Sequence, residues 1–242
     1  MGYPRIVIMS PIHNKKWLLS YFLRAISKID YPNKETIFLS NNNDKSIIAL
    51  LEEYGEVYEY NEVESTAERT SGRYHSLVKI RNKMLDIAFR DNDFDYMFSL
   101  DSDVLVVPEI VKNLLSFEKD FIGALVWNDL HFARKDKPNH IGNIMNLRGA
   151  QKNHFKHIQP IIRNVLIPVD MTGAVALMSK KVYLSGVRYQ YHQQGEDPGF
   201  AIECHKREIQ QWSWTSLQLH AMTKKVLQEY ILDGIIEEIK EK

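Results

Sequence analysis

Tyr96-Met97-Phe98-Ser99-Leu100-Asp101-Ser102-Asp103 joins an apolar run to two carboxylates one residue apart. The run reads as a buried strand. Residues i and i+2 of a strand point to the same side, so a strand continuing through Asp103 aims both carboxylates together, whereas a bend parts them. Two converging hard oxygen ligands suit a divalent cation such as Mg²⁺ or Mn²⁺. Two further D-x-D triplets, Asp91-Asn92-Asp93 and Asp93-Phe94-Asp95, lie in a polar stretch that reads as a turn. Position at the end of a core strand sets the third triplet apart, and makes metal or ligand binding a better reading than an ordinary acidic strand end.

Working toward the amino terminus, strands and helices alternate. Arg5 to Ser10 reads as a buried strand that ends in Pro11-Ile12-His13-Asn14. Leu18, Leu19, Phe22, Leu23 and Ile26 follow at helical spacing, and Tyr31-Pro32-Asn33 breaks that helix. Thr36 to Ser40 is a second strand, Asn41-Asn42-Asn43-Asp44 a loop with Asp44 as N-cap, and Val57 to Tyr60 a short third strand. A helix is expected from His75 to Arg90. This rhythm predicts an α/β domain with a mostly parallel, doubly wound sheet flanked by helices. Ligands bind outside the carboxyl ends of such strands, so His13, the Asn41 to Asn43 loop and the Asp101 triplet share one rim.

The second half loses the alternation. Phe121 to Val126 reads as a strand, and Trp127 to Pro168 as a long polar loop, a length that compact domains reserve for function. Val169 to Ser179 reads as one strand whose internal glycine lets a ligand or another backbone approach closely. Gly195-Glu196-Asp197-Pro198-Gly199 opens a helix through Arg207. Gln211 to Thr215 is a last strand, and Lys224 to Lys242 a solvated Lys/Glu-rich helix. No repeat or linker divides the chain, and a single domain is expected.

With 242 residues the chain can bury a substantial core, and its zero formal charge gives no basis for general nucleic-acid or membrane affinity. Cys204 is the one cysteine, which excludes an internal disulfide and fits a reducing cytoplasm. No signal-peptide pattern opens the sequence and no run approaches a membrane span.

Arg81 lies inside the apolar stripe of Leu77, Ile80, Met84, Leu85 and Ala88, where an unpaired charge is costly. A diphosphate or the acidic triplet can partner it, and so can a structural ion pair. Glu196 and Asp197 are either helix-start acids favoured by the macrodipole or a general base. His220 sits on an apolar segment, as a hydrogen-bonded core residue or as a nitrogen ligand to a metal. His154 and His157 have metal-like spacing without cysteine partners and are read as loop residues. Trp127, Trp212 and Trp214 serve core packing or sugar stacking.

In order along the chain, RIVIMSPIHN, KIRNKML, the strand into DSD, MTGAVALM, GEDPGF and a late histidine resemble a GT-A glycosyltransferase, over roughly residues 5 to 222. RN and DSD resemble the inverting family 2, and the run from RNKML to DSDVLVVP is similar to the fungal mannan-polymerase type of mannosyltransferase. The resemblance implies a Rossmann-like nucleotide-sugar-binding half (1–107), an acceptor and catalytic half (108–222) and a C-terminal helix (223–242). It implies Mn²⁺ or Mg²⁺ held by Asp103 and His220, with Asp101 on metal or ribose. Pro11, His13, Asn42, Asp44, Arg81 and Ser102 join Asp101 in donor binding, and Asp197 is the base with Glu196 beside it. A UDP- or GDP-sugar would be the donor, and a saccharide or glycoconjugate the acceptor. SNNND stands where family 2 has an aspartate pair, which leaves the base and ribose contacts there open. A retaining enzyme would not need Asp197 as base. A sugar nucleotidyltransferase needs a glycine-rich loop that Ser10 to Asn14 lacks; a haloacid-dehalogenase-type phosphatase places its D-x-D after the first strand; a non-catalytic sugar-binding module needs no metal set.

Overall fold

The computed structural model describes residues 2–12, 15–41, 44–60, 71–127, 142–147, 154–159, 161–221 and 223–239. His13 and Asn42 therefore lie outside the described residues. β1 (Ile6–Ile12), α1 (Lys16–Ser27), β2 (Lys34–Ser40), α2 (Lys45–Glu52), β3 (Glu56–Glu59), α3 (Ser71–Asp86) and β4 (Tyr96–Leu100) carry the expected alternation. Parallel pairing gives the order β3-β2-β1-β4. The apolar spacing of α1 is what buries Leu18, Leu19, Phe22, Leu23 and Ile26, and Asp44 caps α2 by accepting the Ser46 N–H at 2.9 Å. Pro11 pairs only with β2, beyond the last β1–β4 partners, where its missing N–H breaks no second ladder.

α3 begins at Ser71 rather than His75, because its polar first turn carries no apolar signal, and it widens into a π-helical turn over Ile87–Asp91. β4 alternates: Phe98 and Leu100 join the core on one side of the sheet, and Met97 joins the core on the other. Ser99 shares Met97's face, the face that α3 covers.

The second half runs β5 (Val104–Leu105), α4 (Ile110–Leu115), β6 (Phe121–Val126), β7 (Ile144–Leu147), β8 (Phe155–His157), β9 (Leu166–Val169), β10 (Met171–Thr172), β11 (Val175–Ser179), α5 (Lys180–Leu184), α6 (Glu196–Lys206), β12 (Gln211–His220) and α7 (Lys224–Leu232). β11 inserts antiparallel between β4 and β6, and β12 lies parallel to β6. β5 and β9 pair antiparallel with opposite ends of β12. In this nine-stranded sheet β1, β2, β3, β4, β6 and β12 run one way, and β5, β9 and β11 the other.

Four expectations need correction. The Trp127 to Pro168 segment is not all loop: β7 and β8 lie within it, joined by β10 in a separate three-stranded sheet, and β9 starts before Pro168. Strands of three or four residues show too little alternation to be read. Val169 to Ser179 is not one strand, because the chain turns at Gly173-Ala174, with Ala174 at φ 64°. β12 continues past Thr215 to His220, across a register shift between Trp214 and Leu217 that hides its alternation. The terminal helix stops at Leu232, where Asp233-Gly234 ends it with Gly234 at φ 67°. Among the described residues, no helix is long and apolar enough to cross a membrane.

Gly123, central in β6, lets β10 lie against the main sheet. A Cβ there would come 2.7 Å from Thr172 Cγ2 and 3.0 Å from the Val175 carbonyl oxygen. Gly123→Ala should therefore lower stability by about 1–3 kcal/mol, the usual effect of overpacking, measured as a lower urea midpoint at constant slope.

Candidate active site

The two-residue strand β5 builds half of the site. It pairs Val104 with His220 and Leu105 with Leu219, and the Ala221 N–H donates to the Asp103 carbonyl at 2.8 Å. His220 Nε2 thereby lies 3.3 Å from Asp103 Oδ1. The other ring nitrogen, Nδ1, donates to the Trp127 carbonyl at 2.8 Å, so neutral His220 keeps an Nε2 lone pair facing the carboxylate. Lys15, at the start of α1, ion-pairs with Asp103 Oδ2. Burial opposes the Asp103 charge, but the hydrogen bond and charge of His220, with the Lys15 ammonium, hold its carboxyl well below the usual range. Burial likewise opposes protonation of His220, and Asp103 outweighs it and raises the imidazole.

Asp101 does not join this cluster, because the chain bends after β4. The Val104 N–H closes a turn onto the Asp101 carbonyl at 3.0 Å, and Ser102 occupies its half-buried middle. The Asp101 carboxylate goes instead to Arg81, whose side chain is only 4% exposed. Arg81 Nη2 donates to Asp101 Oδ1, Nη1 donates to Ser99 Oγ at 2.9 Å, and Nε faces Glu196 Oε1 at 4.0 Å without a hydrogen-bond partner. Burial works against its charge, but Asp101, Tyr189, Asp197 and Glu196 together raise its pKa. Arg81 thus makes an ion pair under the rim.

Glu196 and Asp197 occupy the first turn of α6, after Gly195 at φ 128°. A Cβ on Gly173 would stand 2.6 Å from Asp197 Cγ and closer still to Oδ2. The close approach expected at this glycine is made by a carboxylate. Loss of water, then the Glu196 charge, push Asp197 well above the ordinary carboxylate range, with Arg81 pulling back in part. Burial raises Glu196 against the same pull.

Residues without a motif complete the arrangement. Asn82, the partner of Arg81 in the Arg-Asn pair, clamps the approach to α6: its Nδ2 donates to the Tyr189 carbonyl at 2.9 Å and its Oδ1 accepts the Tyr189 N–H at 2.8 Å. Gln194 holds both backbone groups of Phe155 in the same way, at 2.9 and 3.1 Å. Buried Tyr189 packs on Phe200, and its phenol is pushed up, chiefly by burial, against the pull of the Arg81 charge. Only the resemblance, through the RN of KIRNKML, touched Asn82; nothing marked Lys15, Tyr189 or Gln194. Asp44 serves as a helix cap. His154 is exposed, whereas His157 is on a strand and bonds the Gly142 carbonyl through Nδ1 at 2.8 Å. Trp212 lies under the Lys119 ammonium at 4.4 Å, Trp214 packs on Phe117 and Trp127 belongs to a buried cluster, all packing roles. Among the described residues no group of three His, Cys, Asp or Glu side chains converges on one metal position. Asp103 and His220 bring one carboxylate oxygen and one imidazole nitrogen together, two donor atoms of kinds that a divalent cation accepts.

No protein-family model and no curated protein sequence matches the chain. Solved structures do. TarS from S. aureus superposes with TM-score 0.51 at 12% identity, covering 98% of this chain and 40% of its own. The mannosyltransferase PcManGT from Pyrobaculum calidifontis, in complex with GDP-Man and Mn²⁺, gives 0.53 at 11%, covering 100% of this chain and 66% of its own. A mycobacterial protein gives 0.56 at 14%, covering 97% and 76%. The fold is GT-A-like. At these identities the likeness is one of fold, and the chain spans less than half the length of TarS.

Arg81→Met keeps the helix and most of the volume but strands Asp101 and Glu196 without their cation. Stability should fall by about 3 kcal/mol, the low end for a broken buried pair because Asp101 still reaches water. Thermal unfolding should also show a larger deficit at pH 8 than at pH 5, because the raised Glu196 and Asp197 are more fully ionised at the higher pH and then need the cation most.

Proposed function

We propose that this protein is a metal-dependent glycosyltransferase that moves a sugar from a nucleotide sugar to an acceptor hydroxyl with inversion. One observation carries the reading. Asp103 with His220, and Asp101 with Glu196 and Asp197 around Arg81, meet on a single rim although they come from opposite halves of the chain. The GT-A-like fold, shared with a mannosyltransferase solved with GDP-Man and Mn²⁺ and with TarS solved with UDP (TM-score 0.50, 11% identity), supports the substrate class.

A carboxylate oxygen beside an imidazole nitrogen suits Mn²⁺ better than the oxygen-seeking Mg²⁺. A divalent cation held by Asp103 and His220 would neutralise charge developing on the diphosphate leaving group. Lys15 must then leave Asp103, and its ammonium is free to meet a phosphate. Pro11, Ser102, Asp101 and Asp44 would line the donor side, and Arg81 holds Asp101 in place from below; the donor roles expected for His13 and Asn42 fall outside the described residues. Asp197 accepts the acceptor hydroxyl proton as the new glycosidic bond forms at the anomeric carbon and the bond to the departing diphosphate breaks. Its raised pKa makes it a stronger base, usable once pH is high enough to ionise it. Glu196 beside it sustains that elevation.

A thermal-shift panel of UDP-, GDP-, CMP- and dTDP-sugars with and without Mn²⁺ tests donor and metal together, since bound nucleotide stabilises the fold by mass action. The fungal mannosyltransferase resemblance makes GDP-mannose the first choice. Asp103→Ala should abolish the Mn²⁺-dependent shift; an unchanged shift would overturn the metal assignment. Asp197→Asn should retain the shift while turnover drops by about 10²- to 10⁴-fold. Retention of the donor's anomeric configuration in the product would remove Asp197 from that role.

Two pH dependences follow. The raised Asp197 places the acidic limb of kcat/KM above the usual carboxylate range, with rate rising as pH rises through the folded value. The raised His220 must lose a proton to bind metal, so Mn²⁺ affinity should weaken by about tenfold per pH unit below the folded value. Titration calorimetry in which His220→Gln keeps the same steep slope would count against that ligand.

A further inference from the structure

The corner between β10 and β11 holds a glycine with no room for a side chain and an alanine in a left-handed conformation. Ala174, at φ 64°, adopts a region that L-residues with a Cβ enter at a cost and that persists only when the surroundings demand it. Its carbonyl accepts the Asp101 N–H at 2.8 Å, so the strained residue holds the exit of β4. One residue earlier, the Gly173 carbonyl accepts Asn143 Nδ2 at 2.5 Å and the Val175 N–H at 2.7 Å. Buried Asn143 is itself fixed, its Oδ1 accepting the Val126 N–H at 2.8 Å and its Nδ2 donating to the Ala124 carbonyl at 3.0 Å. The Gly173 backbone therefore has little freedom, and the Asp197 carboxylate rests directly on its Cα.

Resting on the glycosyltransferase reading, we infer that the Gly173–Ala174 corner is a positioning element that seats the Asp197 carboxylate and ties it to the Asp101 rim. Gly173 has no positive φ to require a glycine, so space alone accounts for it. Any side chain would need the volume that the carboxylate fills. With a methyl on residue 173 the carboxylate cannot keep its position, because the Cβ would stand 2.6 Å from its Cγ and closer still to Oδ2. It would have to leave the seat. The same corner grips Asp101, so the spacing between donor side and base is set by two adjacent residues rather than by a flexible loop. A displacement of an ångström at a reacting group can lower a rate by about a hundredfold.

The test uses Gly173→Ala, Asp197→Asn, the double variant and Asp197→Glu in the full chain. Gly173→Ala should lower turnover with a nucleotide sugar by about a hundredfold, with donor KM and Mn²⁺-dependent GDP or UDP binding within twofold of the parent. If Gly173 acts only through Asp197, the double variant should be no slower than Asp197→Asn. Asp197→Glu keeps the acid but adds a methylene to a seat that lacks space for a methyl, and it should fall to the level of Asp197→Asn. Near-normal turnover of Gly173→Ala or of Asp197→Glu overturns the seat, and so does a double variant much slower than Asp197→Asn.

Melting temperature against pH gives a readout that needs no substrate. Seated Asp197 holds its proton more tightly in the folded than in the unfolded protein, so its contribution to stability is complete at low pH and lost as pH rises through the folded value. Asp197→Asn removes that decline, and Gly173→Ala should remove the same share by expelling the carboxylate into water. Absence of nucleotide binding and transfer in the parent protein would sink the proposed function and leave the seat to these curves. A decline in Gly173→Ala as steep as in the parent would then overturn it.

Discussion

A single guanidinium under a ring of acids is the constraint around which this rim is arranged. Arg81 reaches Ser99 and Asp101 at the end of β4 and faces Glu196 at the start of α6. It therefore ties the first-half sheet to the second-half helix across the line where strand direction changes. An isolated buried charge of this kind would be intolerable, and so would three neighbouring carboxylates with no cation among them. Each makes the other acceptable. The balance is incomplete, however: burial first, and for Asp197 then the Glu196 charge, leave both carboxyls holding their protons more tightly than usual.

The Asp103 cluster has the opposite balance. One carboxylate stands between Lys15 and an imidazole with raised proton affinity, so cations surround the anion. On the proposed function both arrangements would exchange: a metal would replace a proton and an ammonium at Asp103, and an acceptor proton would arrive at Asp197.

Much of the scaffold was legible because burial writes a strong pattern. The apolar run before Asp101 and the helical spacing of Leu18 to Ile26 announce the sheet and its cover, and the misplaced charge of Arg81 within its stripe announces a buried partner. Legibility failed where pairing is short or distant. β7 and β8 are too brief to show a period, and the bulge after Trp214 disguises the continuation of β12 toward His220. Contacts such as Lys15 with Asp103, or Asn82 with the Tyr189 backbone, depend on three-dimensional proximity that no local pattern encodes. The glycine in MTGAV signalled a close approach, but its occupant comes from a different element and was unreadable.

The pairing of β5 with β12 also has a consequence for how the protein comes into being. Asp103 leaves the ribosome 117 residues before His220. Two residue pairs must then find each other across that separation, the kind of contact that forms late because loop closure precedes its reward. While the intervening residues are made, the nascent chain would carry the acidic triplet without its imidazole. On the proposed function, cation capture at that pair would become possible only after β12 has docked in register, which would confine the complete site to chains whose sheet has finished assembling.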